Sequence, residues 1–140
     1  MKLRTFLIIN AVVAVIVGII LVLIPRTVVR WFGLPAETGM DIDNQFYGSE
    51  LILMGLVCWF ARNIMEAKYQ RGITAAFTIA NLISFVLAVI AQVNRTFNAL
   101  GWIAVIAYLV LTLVYGYYYF TIPAQVSELQ PMEQHSETVH

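Results

Sequence analysis

Charged residues make up only 11% of this 140-residue chain, against roughly 25% in an ordinary soluble domain. Eight Lys and Arg balance eight Asp and Glu, so no net basic field exists to attract nucleic acid, which is not an expected partner. A lone cysteine, Cys58, excludes an internal disulfide and any cysteine cluster for zinc or iron–sulfur. Both histidines, His135 and His140, belong to the polar C-terminal stretch. A serine nucleophile would therefore lack a histidine base, and no paired carboxylate motif stands within an apolar run. Enzyme chemistry has little support, and no catalytic residue, metal site or cofactor is expected. Cys58 reads as a small packing residue, since apolar surroundings oppose thiolate formation.

What the chain has in abundance is hydrocarbon. Apolar residues reach 61%, mean hydropathy is +0.81, and long apolar stretches run Phe6–Ile24, Phe46–Ala61, Ile73–Val93 and Leu100–Phe120. Each approaches or exceeds the roughly 17–25 residues that cross a hydrocarbon core as a helix, which also satisfies its own backbone groups. The runs do not alternate, so a transmembrane barrel is excluded. The expected fold is all-α: an integral membrane four-helix bundle, antiparallel up-down-up-down, with a short interfacial segment after the first helix. Helices are expected over about 5–24, 44–62, 71–94 and 98–121, within a domain 1–122. Residues 123–140 are polar and carry no Lys or Arg, so they read as a disordered tail. Lys2 and Arg4 before an apolar run also suit a signal peptide. Phe6–Ile24 is longer than the usual ~7–15-residue core and ends at Pro25-Arg26 without a small-x-small cleavage site, so a retained helix is expected.

With the amino terminus inside, Lys2, Arg4, Arg62, Lys68 and Arg71 face the cytoplasm, while Arg26, Arg30 and Arg95 lie opposite. That bias favours both termini inside, in a bacterial inner membrane. The longest connection follows the first stretch, where Arg26 and Arg30 stand four apart among Val28, Val29, Trp31 and Phe32. On a short helix these residues form an interface element whose arginines reach headgroups; the plainer alternative is a connector anchored by Trp31 and Phe32. Gly33 and Pro35 end the segment. The other connections are short, so consecutive helices should be antiparallel neighbours. Tyr115, Tyr117, Tyr118 and Tyr119 near the end of the last stretch suit an aromatic belt.

In the third stretch Gly72, Ala76, Ala80, Ser84, Ala88 and Gln92 fall at every fourth position, on one slowly drifting helix face. Small residues let a second backbone approach where lipid gives no hydrophobic drive. Asn10, Ala14 and Gly18 form a partial counterpart, and Gly48 and Gly55 stand two turns apart. The seam either closes the bundle or faces a second copy.

Polar groups in apolar stretches need partners or water. Glu50 is the one acidic residue well within reach of an apolar run, and it reads either as a proton carrier, a cation ligand or an anchor for a polar headgroup, or as a carboxylate in interfacial water or against Arg26, Arg30 or Arg95. Asn10 and Asn81 read as hydrogen-bonding register devices worth about 1 kcal/mol each. A polar ligand cavity lined by Asn10, Glu50, Asn81 and Ser84 is the alternative, and it requires those faces to converge.

The Gly18-containing first helix, the connection from Pro25 through Trp31-Phe32-Gly33-Leu34-Pro35, and Tyr47-Gly48 followed by Leu53-Met54-Gly55-Leu56 resemble small bacterial four-helix membrane proteins of the DoxX-like kind. The resemblance implies the bundle plan and, for some members of that group, quinone-linked sulfur oxidation or larger membrane complexes. The basic residue such chains often carry soon after the first-helix glycine is absent here, where Ile19-Ile20-Leu21-Val22-Leu23 follows Gly18, so no catalytic residue carries over. Three functions remain in view. The first is helix–helix association, as a homo-oligomer or an accessory subunit among membrane lipids. The second is a bundle that binds or transports a lipid, quinone or other small amphipathic molecule. The third is a membrane component of a quinone-linked oxidoreductase.

Overall fold

A computed structural model describes residues 2–35 and 40–123. Among these residues the chain forms helices and no strand: α1 Leu3–Leu23, α2 Pro25–Trp31, α3 Met40–Ala61, α4 Ala67–Val93 and α5 Gly101–Thr121. The polar tail expected over 123–140 lies, apart from Pro123, outside the described residues.

Proline and glycine chemistry sets the breaks. Pro25 has no N–H to continue the α1 ladder, yet its fixed φ suits the first position of α2. Gly33 (φ 79°) ends α2 in the left-handed region, with Gly33 N–H donating to Arg30 O (3.0 Å) and Leu34 N–H to Val29 O (3.2 Å). The same motif ends α4 without a glycine: Arg95 takes φ 56°, Arg95 N–H donates to Gln92 O (3.1 Å) and Thr96 N–H to Ala91 O (2.9 Å).

Three helices, α1, α4 and α5, are long and apolar enough to cross a membrane, which marks the chain as a membrane protein by length and composition. α3 matches them in length at 22 residues, but its first half carries Asp41, Asp43, Asn44, Gln45, Ser49 and Glu50. The two aspartates sit in its first turn, where the helix dipole favours negative charge.

The helices pack chiefly as two antiparallel pairs, α1 with α3 and α4 with α5. Along the first pair, Arg26 beside α1 meets Asp41 (2.5 Å), Gln45 Nε2 donates to Val22 O (3.2 Å), Gly18 opposes Gly48, and Gly55 opposes Ala11 and Val15. Glycine at these points removes the side chain that would hold the backbones apart. Side chains join the pairs at both ends. At one end Phe6, Leu7 and Ala11 of α1 and Cys58 and Ala61 of α3 pack with Tyr115 and Tyr118 of α5 into the buried core, flanked by Ile73 and Phe77 of α4. At the other, Asn98 holds α2: its backbone N–H donates to Phe32 O (3.0 Å) and its Nδ2 to Trp31 O (2.8 Å), while Phe32 and Phe97 meet edge to face.

Candidate functional site

Asn10 cannot leave its amide unpaired in an apolar helix without a cost of a few kcal/mol. It shares the inward face of α1 with Phe6, Leu7, Ala11 and Ala14, all buried, as the three-to-four residue spacing requires. Two other helices meet it. Tyr115, completely buried, receives a hydrogen bond from Asn10 Nδ2 at 2.5 Å, and Cys58, also completely buried, has its Sγ 3.5 Å from the Tyr115 hydroxyl and 3.6 Å from Asn10 Nδ2. One hydroxyl, one thiol and one amide from α5, α3 and α1 thus satisfy each other.

Aromatic walls enclose this cluster. Phe6 meets the Tyr115 ring edge-on (centroids 5.0 Å, 72°) and Phe77 of α4 stacks on it (4.9 Å, 25°), so all four long helices touch one side chain or its immediate partners. Such aromatic pairs add about 0.5–1.5 kcal/mol beyond area burial. The cluster holds no carboxylate and no imidazole, and among the described residues no three His, Cys, Asp or Glu side chains come close enough to hold a metal ion. Its chemistry is that of a polar lock, three groups with complementary donors and acceptors in a dry interior.

Asn81, Thr74 and Thr78 turn to their own helix, whereas Gln92 Nε2 donates to Asn98 O (3.2 Å) and its buried Oε1 has no partner. Asn81, buried, donates from Nδ2 to Phe77 O (2.7 Å), Thr74 Oγ1 donates to Gln70 O (2.8 Å), and Thr78 Oγ1 donates to Thr74 O (2.7 Å). Asn81 therefore does not reach Asn10. Ser84, half-buried, lies one turn beyond Asn81 on the same face of α4. Glu50 is exposed, eight residues before Cys58 on α3, about 12 Å along the axis at ~1.5 Å per residue. Of Asn10, Glu50, Asn81 and Ser84, only Glu50 borders either of the two surface openings described. An open surface groove of about 460 Å³ is bounded by Asp43, Phe46, Tyr47 and Glu50 of α3.

Of the small residues, Ala14, Gly18, Gly48 and Gly55 are buried along the α1–α3 seam. The α4 row divides: Gly72, Ala76 and Ala80 are exposed, while Ser84, Ala88 and Gln92 are half-buried. A four-residue step overshoots a 3.6-residue turn by about 40°, so five steps carry the row from one side of the helix to the other. Arg26, Arg30 and Trp31 are exposed on α2, and Phe32 is half-buried against Phe97.

The part of Tyr115 escapes sequence reasoning, which groups it with Tyr117, Tyr118 and Tyr119 as a belt. The cluster in fact splits by face, with Tyr115 and Tyr118 buried and Tyr117 exposed. The signal was the three-residue spacing of 115 and 118 with Leu111 and Ile122, together with the need of Asn10 for a partner. Comparison with protein family models, curated proteins and solved structures finds no match to this chain.

Proposed function

We propose that the four long helices cross the bilayer as an antiparallel up-down-up-down bundle and that the protein works by helix–helix association, as an oligomer or as an accessory subunit of a larger membrane complex. α2 then lies at the outer interface, and both termini face the cytoplasm of a bacterial inner membrane. The register of α3 along α1 supports the spanning of α3 despite its polar half, because a helix sealed to α1 by three glycines shares the depth of α1. The likeness to DoxX-like chains stays part of this proposal, as a helix plan only.

The observation that carries the association reading is the open half of the α4 row. Nothing lies within 4 Å of a side chain built on Gly72, and Ala76 and Ala80 beside it are exposed. A row of small residues at four-residue spacing on a lipid-facing surface permits close approach of another helix. Asn10, Cys58 and Tyr115, meanwhile, bond to each other and Asn81 bonds to its own helix, so these central polar groups are already engaged, and among the described residues Gln92 Oε1, at the Gly101 end of α5, is the buried side-chain acceptor left without a partner.

The test is subunit count and partner recovery by native mass spectrometry from native lipids, for the parent chain and for Ala76→Leu with Ala80→Leu. Loss of the higher-mass species with the fold retained supports the reading. Unchanged oligomeric state and partner recovery would falsify it.

A further inference from the structure

α1 serves as a depth gauge for α3. Val22 meets Gln45, Gly18 meets Gly48 and Ile52, and Ala11 and Val15 meet Gly55, so Glu50 stands level with Gly18. At ~1.5 Å per residue that is about 9 Å inside the Ile24 end of the α1 apolar run. Glu50 points away from α1, is exposed, and has no ion pair or hydrogen bond among the described residues. The nearby ion pair leaves it out, because Arg26 is engaged by Asp41.

The neighbours of Glu50 are not ordinary lipid-facing residues. Asp43, Phe46, Tyr47 and Glu50 fall at the spacing of a single helix face and bound the 460 Å³ groove, with Phe46 66% and Tyr47 70% exposed. Hydrocarbon cannot solvate a carboxylate, so a lipid-facing Glu50 calls for an occupant that brings positive charge. The occupant also needs an apolar body, since the groove opens among exposed aromatic rings and its surroundings are lipid. A second copy turned onto this face by a two-fold axis would set Glu50 against Glu50 and Asp43 against Asp43, which like-charge repulsion opposes. Two rings flanking the carboxylate suit a diffuse organic cation, which gains from ring faces as well as from the ion pair.

We propose that this groove on α3 binds an amphipathic organic cation, its charged centre held between Glu50 and the rings of Phe46 and Tyr47 and its apolar body in the lipid. Asp43, two turns nearer the interface, draws the cation in. The inference rests on the spanning of α3 proposed above.

The experiment is equilibrium binding of tetraphenylphosphonium to the full-length protein in lipid nanodiscs. Saturable binding near one per chain is expected, weakened at least about tenfold by Glu50→Gln and several-fold by Phe46→Ala or Tyr47→Ala, with a smaller loss for Asp43→Asn. No saturable binding, or equal binding by Glu50→Gln, overturns the proposal. So does photocrosslinking from position 47 to another polypeptide in native membranes without tetraphenylphosphonium binding, which assigns the face to a partner helix. A nitroxide on Glu50→Cys separates the two levels, because the fully buried Cys58 stays unlabelled. A label accessible to aqueous nickel chelate rather than to oxygen removes the spanning of α3 and the cation site with it. A label at lipid depth with no tetraphenylphosphonium binding removes the cation site alone.

Discussion

Gly18 and Gly48 face each other across α1 and α3 so that each occupies the space the other's side chain would need. A Cβ on Gly18 would stand 2.6 Å from Gly48 O, and a Cβ on Gly48 would stand 2.7 Å from Gly18 O. Both obstacles are backbone carbonyls, which no rotamer change can move, so the helices themselves must separate.

Gly18→Ala and Gly48→Ala should therefore each destabilise the fold by about 1–3 kcal/mol, the usual cost of overpacking, despite the ~1 kcal/mol that alanine gains in helix propensity. Gly72→Ala, where a Cβ meets nothing within 4 Å, should be neutral or mildly stabilising. Unfolding in mixed micelles with increasing dodecyl sulfate measures all three, and equal effects at Gly18 and Gly72 would refute the assignment of the seam.

Asn10 and Tyr115 should be energetically coupled. Tyr115→Phe keeps both aromatic contacts but removes the hydroxyl that accepts from Asn10 and sits beside Cys58. Membrane hydrogen bonds typically contribute about 0.6–2 kcal/mol, and a double-mutant cycle with Asn10→Ala should return a coupling in that range. Strict additivity of the two substitutions would show that the contact contributes nothing to stability.

Cys58 should report global unfolding. Its side chain is inaccessible and lies at the meeting point of α1, α3 and α5, so a maleimide should label it at the rate at which the helices separate. Leu substituted for Ala76 should leave that rate unchanged because Ala76 is exposed, whereas Gly55→Ala, aimed at Ala11 O and Val15, should raise it. Rapid labelling of the parent protein in membranes would contradict the packing.

Arg95 carries backbone strain that can be relieved. Its φ of 56° is ordinary for glycine and costs other residues roughly 1 kcal/mol, and no side-chain hydrogen bond of Arg95 is among those described. Arg95→Gly should stabilise the α4 terminus by up to about 1 kcal/mol. Asn98→Ala should do the opposite at the same end, freeing Trp31 O and the Leu100 N–H while keeping the backbone bond to Phe32 O, and raising amide exchange at Gly33 and Leu34.

The helical elements were legible because continuous apolar runs fix where a backbone must satisfy itself, and Pro25 and Gly33 mark their breaks with local stereochemistry alone. Gly18, Gly48 and Gly55 were legible as packing residues for the same reason, since small size in an apolar helix has few other uses. The fate of the α4 row was harder to read. Its spacing shows a drifting face, but which arc of the drift meets α5 depends on how Asn81 and Thr74 turn inward, a tertiary choice. Tyr115 was hidden more deeply, because its partners stand 105 and 57 residues away and a tyrosine at a helix end has an adequate local explanation. Glu50 was placed toward the outer end of its helix, and the structure adds that it faces outward and that Arg26 is already engaged.

The lock around Tyr115 also has a bearing on the order in which the chain is made. α1 and α3 are complete once Ala61 has left the ribosome, whereas Tyr115 follows 54 residues later, about 3–11 s at ~5–20 residues per second. During that interval the glycine seam can close, but the Asn10 amide and the Cys58 thiol have no tyrosine between them. Chains that stop before α5 therefore leave the Asn10 amide with only the weak thiol contact of Cys58 on an otherwise apolar surface. The last helix to arrive is thus the one that completes the hydrogen bonding of the first.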